Sequence, residues 1–175
     1  MLDRRTLLLR IVQGFSATGA FFLAYPFVKA WLPTFNQNHS LEVDLSDLKI
    51  GAIKQVSWLG RNVMIVRRTP QEISDLVEDK HELKDASSAH SRQPILAVNH
   101  YRSLRPDVFV VYSNCTHLGC EVSTSGTAAS FNCPCHLSEF DAAGRVYKSA
   151  IAPTNLEVPD YQFVSRKLLL LVKRT

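Results

Sequence analysis

No charged residue occurs between residues 11 and 28, and Leu7 to Leu9 on one side and Trp31 and Leu32 on the other lengthen the apolar run. Together they reach the ~20 residues that a membrane-spanning helix needs. Gly14, Gly19 and Pro26 weaken the stretch as a soluble helix but are tolerated in a bilayer, where neighbouring groups satisfy freed backbone. Tyr25 and Trp31 suit an interface. Arg4, Arg5 and Arg10 precede the run and only Lys29 follows it closely, so the positive-inside rule puts the amino end in the cytoplasm and the remainder in the periplasm. Two other readings fit the same residues. One is a buried core helix; the other is a cleaved signal peptide, although no small-x-small site precedes the first expected strand.

Beyond the run the pattern becomes polar and then alternating. Residues 33–40 have no period and read as a tether, about 25 Å long when stretched at ~3.3 Å per residue, with His39 a solvated member of it. Leu41-Glu42-Val43-Asp44-Leu45 alternates like a half-buried strand. Residues 53–58 and 63–67 read as a hairpin turning through Leu59-Gly60-Arg61-Asn62. Thr69 is placed to cap a short helix with Pro70 at its first position. Residues 78–92 are charged and Ser-rich, and predict an exposed loop with His81 and His90 in solvent. Further strands are expected at residues 108–112 and 168–173, with shorter extended pieces at 144–147 and 162–164. The fold class that follows is mainly β: one amino-terminal transmembrane helix, then an antiparallel β-sandwich head carrying loops at one end. The boundaries are residues 1–32 for the cytoplasmic end and anchor, 33–40 for the tether and 41–175 for the head.

Composition limits this picture without changing it. At 175 residues, 46% hydrophobic and 21% charged, the chain can hold an anchor and one domain. Its net charge of +4 is dispersed, and no basic stripe interleaved with aromatics is present, which argues against nucleic-acid binding. Arg4-Arg5-Thr6-Leu7-Leu8 is similar to a twin-arginine export signal, with Asp3 where Ser or Thr is common and Leu where Phe is preferred. Such a route would suit a head that crosses the membrane folded around a cofactor.

The chemistry concentrates in one stretch. All four cysteines and two of the six histidines lie in Cys115-Thr116-His117-Leu118-Gly119-Cys120 and Cys133-Pro134-Cys135-His136-Leu137-Ser138. Two short loops rich in thiol and imidazole point to a metal site. If Cys115, His117, Cys133 and His136 are ligands, Cys120 and Cys135 are left over, one in each loop. Zinc would accept the same ligands but would leave the second cysteine of each loop unexplained. In an oxidising compartment the spare pair can form a disulfide, worth ~3 kcal/mol for a closed segment of about fifteen residues. Spacing alone admits this partition and does not settle it.

These two motifs resemble those of Rieske iron–sulfur proteins. Residues 41–46, 67–73, 102–106 and 155–161 extend the resemblance to the bacterial iron–sulfur subunit of the ubiquinol:cytochrome c reductase complex. The resemblance implies one [2Fe–2S] cluster in the part around residues 112–148, with Cys115 and Cys133 on one iron and His117 and His136 on the other. It also implies a Cys120–Cys135 disulfide and shielding of the cofactor by Leu118 and Pro153. Two imidazoles in place of two thiolates make the cluster less negative and a stronger oxidant. His136 is then the direct partner of quinol and its proton acceptor, with His117 beside it. The implied partners are cytochrome b, a c-type cytochrome, quinol and the lipid bilayer, in a dimeric complex of the bacterial inner membrane that couples electron transfer to proton translocation. The alternative is the Rieske subunit of another periplasmic oxidoreductase such as arsenite oxidase. A soluble Rieske ferredoxin would need neither anchor nor spare cysteines.

The chain departs from this pattern at three places. Leu137 stands where Gly is usual, and Phe140 where Tyr would offer a hydroxyl to a cysteine sulfur, while Ser138 keeps its hydroxyl for a bridging sulfide. The expectation is a lower reduction potential than in Tyr-bearing relatives. The shielding loop, usually Gly-Pro-Ala-Pro, reads Ala150-Ile151-Ala152-Pro153. Tyr147 and Tyr161 receive no assignment.

Overall fold

The computed structural model describes residues 3–31, 40–78, 82–124 and 130–173, in two compact units that divide between Gln37 and Asn38. The tether, apart from Ser40, and with it His39, lies outside the described residues, as does His81.

The first unit is helix α1, Arg4–Trp31. Its 28 residues rise about 42 Å at 1.5 Å each, more than the ~30 Å of a hydrocarbon core. Apolar side chains face all sides and none of its described residues is buried, so the reading as a soluble core helix does not hold. Within the span, the Thr18 hydroxyl donates to the Gly14 carbonyl (2.9 Å).

The second unit is built from three three-stranded antiparallel sheets. The first joins β1 (Ser40–Asp44) to β9 (Leu168–Val172) and β8 (Tyr161–Phe163). The second runs β2 (Ile53–Trp58), β3 (Arg61–Arg67), β4 (Val108–Tyr112); the third runs β5 (Ser123–Thr124), β6 (Ser130–Asn132), β7 (Glu139–Asp141). Strands β3 and β4 form the centre of the core: residues 63–66 and 108–112 are buried on both faces, which is why they read as continuous apolar runs.

The β2–β3 hairpin turns more tightly than expected. Leu59 (φ 50°) and Gly60 (φ 75°) alone make the turn, both left-handed as a two-residue type I′ connection requires, and Arg61 and Asn62 already pair with Trp58 and Ser57. Helix α2 (Pro70–Glu78) starts with a reciprocal cap. The Thr69 hydroxyl accepts from the Glu72 amide (3.2 Å), and the Glu72 carboxylate accepts from the Thr69 amide (2.7 Å).

Most of residues 82–92 face solvent, His90 among them, as expected of an exposed loop, but Leu83, Asp85 and Ser88 are buried and Leu83 bridges Tyr147. The Asp85 carboxylate organises the turn by accepting from the Ala89 and His90 amides (2.7 and 3.1 Å) and the Ser91 hydroxyl (2.6 Å). Burial opposes its ionisation, but those bonds win and hold its carboxyl below the ordinary range.

Three buried arginines fasten the segment after β7 to the core. Arg68 donates to the carbonyls of Ala142 (2.8 Å), Tyr101 (2.9 Å) and Pro106 (3.1 Å) and lies over the Phe109 ring. Arg102 donates to Ala143 (3.0 Å), Gly144 (3.2 Å) and Leu156 (2.8 Å) and to the Gln93 side chain. Arg145 pairs with Asp141 at 2.6 Å. Burial pushes Arg68 and Arg102 down to about 10, so both stay charged at neutral pH. Gly144 is required where this segment meets the core: at φ 66° a Cβ would lie 3.2 Å from both Leu156 and Phe109.

Candidate metal centre

Strand β4 delivers the chain into the first cysteine loop, and β6 and β7 flank the second. The two loops fold alike. In the first, the Cys115 amide donates to the Cys120 carbonyl (2.8 Å) and the Gly119 amide to the Cys115 carbonyl (2.9 Å). In the second, the Cys133 amide donates to the Ser138 carbonyl (2.8 Å) and the Leu137 amide to the Cys133 carbonyl (3.0 Å). Gly119 and Leu137 therefore hold equivalent positions, and both are left-handed, at φ 81° and 55°. Glycine adopts that conformation freely; leucine does so against its Cβ.

The repeated backbone puts the first cysteine of each loop inside. Cys115 and Cys133 are buried free thiols, and burial, helped by the nearness of Cys133, pushes the Cys115 thiol up. His117 is half-buried and His136 exposed, with ring centroids 4.6 Å apart and planes at 80°. Nδ1 of His117 is buried and has no hydrogen-bond partner among the described residues. A buried polar nitrogen without a partner costs ~1–3 kcal/mol, so its lone pair calls for one.

Cys120 and Cys135 are joined by a disulfide, with Cα atoms 6.6 Å apart, which ties one loop to the other. The sulfurs of Cys120, Cys133 and Cys135 lie within 4.8 Å of one another, yet Cys120 and Cys135 share an S–S bond and have no thiolate to give a metal. The available donors are two thiols and two imidazoles, with one imidazole nitrogen already buried and unpaired. That set fits a [2Fe–2S] centre of mixed Cys and His ligation.

A third loop closes against these two. The Ala152 amide donates to the Ser138 hydroxyl (3.1 Å), which leaves that buried hydroxyl's own proton free to donate elsewhere. The Thr116 hydroxyl donates to the Thr154 carbonyl (2.6 Å). Lys84 binds the Ala150 carbonyl and donates to that of Ala152 (3.0 Å). Lys84 gives no signal in the sequence, where it is one lysine in a charged run. Pro153 is exposed, as are Leu118 (71%) and Leu137 (82%). Phe140 is fully buried, opposite Phe131 on β6 and bridged to Val146. Tyr161, unassigned from the sequence, is a buried anchor whose hydroxyl accepts from the Leu104 amide (3.0 Å), and burial pushes its phenol up to about 12. Tyr147 is half-buried beside β7.

Comparison with known proteins agrees with this geometry. Residues 40–162 match the Rieske [2Fe-2S] domain family. The ubiquinol-cytochrome c reductase iron-sulfur subunit of Allochromatium vinosum is 33% identical over 181 residues, spanning 96% of this chain and 87% of that protein. The same-named subunit of Blastochloris viridis is 35% identical, spanning 92% and 88%. A chain of a hyperthermophilic respiratory Complex III shares the fold, with a TM-score of 0.50 at 21% identity over 90% of this chain and 96% of that one. Two thiols and two imidazoles on disulfide-linked loops, in a chain matched over nearly its whole length, have one common explanation: the chain belongs to the Rieske [2Fe–2S] family, among the bacterial ubiquinol–cytochrome c reductase iron–sulfur subunits.

Proposed function

We propose that this chain is the membrane-anchored iron–sulfur subunit of a respiratory quinol:cytochrome c oxidoreductase, taking one electron with a proton from quinol and passing the electron to a c-type cytochrome. The observation that supports this reading is the placement of His136: exposed, with its ring centroid 4.6 Å from that of His117, on a loop whose Cys133 is buried. Cys115, Cys133, His117 and His136 would hold the cluster. Bound there, a [2Fe–2S] cluster supplies a one-electron acceptor of comparatively high potential. His136 would accept the quinol hydroxyl's hydrogen bond and proton at its outer nitrogen, because an imidazole holding a cation at one nitrogen can exchange a proton at the other. Leu118 and Leu137 on the two loops and Pro153 on the third would exclude water around that contact. The second quinol electron belongs to a b-type cytochrome, so this chain performs half of the oxidation and needs its partners for the rest.

In this reading α1 anchors the chain in the inner membrane with its amino end cytoplasmic and its head periplasmic, as part of a dimeric, proton-translocating complex. Affinity purification of the full chain from its own membranes tests it. The expected result is co-purification of b- and c-type cytochromes, quinol-dependent cytochrome c reduction, and loss of that activity in His136→Gln. A preparation that carries a molybdenum oxidase and no b-type cytochrome would assign the chain to the alternative class.

A further inference from the structure

A groove of about 660 Å³ lies where the loop after β1 (Leu45, Ser46, Leu48), the paired ends of β3 and β4, and the β8–β9 turn meet. It belongs to a different end of the head. Arg67 pairs with Val108 at the groove, and β4 carries the chain away from there for ~13 Å to Tyr112 before the Cys115 loop begins.

The groove is cationic. Arg67, Arg105, Arg166 and Lys167 line it against one carboxylate, Asp107. That carboxylate is already committed to Arg105, which meets both its oxygens at 2.6 and 3.1 Å. Among the described residues, no carboxylate lies within 4.0 Å of Arg67, Arg166 or Lys167; Asp44, whose carboxyl is lowered chiefly by Ser46, feels Lys167 only at longer range. Among the described residues, Arg67, Arg166 and Lys167 thus line the groove without a carboxylate partner.

Two guanidinium groups are held in place before any ligand arrives. Arg67 donates to the Leu48 carbonyl (2.9 Å), and Arg105 donates to the Arg166 carbonyl (3.2 Å) and lies over the Phe163 ring (4.7 Å). Each uses only part of its five donors in these contacts. Cations lining one groove repel one another at a cost, unless an anion comes to neutralise them.

We infer that this groove binds a phosphate-class anion, either a free one or the headgroup of an anionic lipid. Guanidinium forks match the oxygens of such an anion, and Lys167 adds a mobile point charge. The site is independent of the redox reading and would stand without it.

The test uses the full chain with its cluster assembled, as wild type and as the Arg166→Glu/Lys167→Glu double variant. Both side chains are exposed on the β8–β9 turn, so the visible spectrum of the head should be unchanged. In non-ionic detergent at low ionic strength, titration with inorganic phosphate should saturate for the wild type, and the variant should bind roughly tenfold more weakly or worse. In nanodiscs of phosphatidylcholine with or without phosphatidylglycerol, hydrogen exchange at residues 45–48 and 163–168 is the second reading. Saturation by free phosphate supports a small-anion site. Protection that needs phosphatidylglycerol and is lost in the variant supports the lipid headgroup. No saturation and no lipid-dependent protection overturns the inference, as does a variant that responds like the wild type.

Discussion

Leu137→Gly should stabilise the head, although it removes a large side chain. The two cysteine loops make the same pair of backbone hydrogen bonds, and the position that is Gly119 in one is Leu137 in the other. A left-handed conformation costs an L-residue ~1–2 kcal/mol, and at φ 55° Leu137 bears that cost. Glycine would remove it while adding ~0.5–1 kcal/mol of unfolded-state entropy to be lost on folding. Little burial is lost, because the leucine is 82% exposed. The balance is a gain of about 0.5–1 kcal/mol, or a rise of roughly 1–4 °C in Tm at 2–4 °C per kcal/mol. Thermal melting of the cluster-loaded chain, followed by visible circular dichroism, measures it. Gly119→Leu is the reciprocal experiment: nothing lies within 4 Å of the added Cβ, so only the backbone cost remains, and Tm should fall. A lower Tm for Leu137→Gly, or no change for Gly119→Leu, would refute the equivalence of the loops. Leu137→Asn separates the two contributions, since Asn tolerates the left-handed region and carries no apolar surface.

Phe140→Tyr should raise the midpoint potential by at most about 60–130 mV, from a hydrogen bond of ~1.5–3 kcal/mol at ~59 mV per 1.4 kcal/mol, and a redox titration that finds no change leaves Phe140 as packing alone. Cys120→Ser should cost ~3 kcal/mol for a bridge spanning 15 residues and should make denaturant stability insensitive to reductant, whereas the wild type loses stability when reduced. Asp85→Asn should flatten the acid limb of stability. Its carboxyl is lowered in the folded state, so its contribution is complete above the ordinary value of ~3.9 and is lost as pH falls through the folded value. Melting curves between pH 7 and 3 should then separate at neutral pH and converge in acid; parallel curves would show that Asp85 has no such linkage.

How far the sequence could be read depended on how much each residue's neighbours in sequence share its role. The long strands β3 and β4, the capping pair Thr69 and Glu72 and the cysteine motifs all carry local signals, and they were legible. Strands β5, β6 and β7 have two or three residues each, too few for an alternation to register, and the sheet around the second loop was missed. The charged segment after α2 misled for a different reason. Asp85 and Lys84 look like solvated charges, but Asp85 is held by two backbone amides and the Ser91 hydroxyl four to six residues away, and Lys84 by backbone carbonyls sixty-six or more away. Arg68 and Arg102 were equally silent, because a buried guanidinium that binds carbonyls leaves no pattern in sequence.

Those arginines bear on what the exposed site needs. A ligand set held on loops must keep its geometry while its tip faces solvent, and neither loop has a strand longer than three residues on the side of the second cysteine. Stiffness therefore has to come from outside the loops. The disulfide joins the loops to each other, but it fixes them only relative to one another. Arg68 and Arg102 bind the carbonyls of residues 142–144 immediately after β7, and Lys84 binds those of Ala150 and Ala152 in the third loop. Cationic side chains suit this task better than neutral ones, since a hydrogen bond from a charged donor contributes ~1.5–3 kcal/mol against ~1 for a neutral one. They also reach several carbonyls at once, which is how two guanidinium groups can hold a turn of irregular backbone.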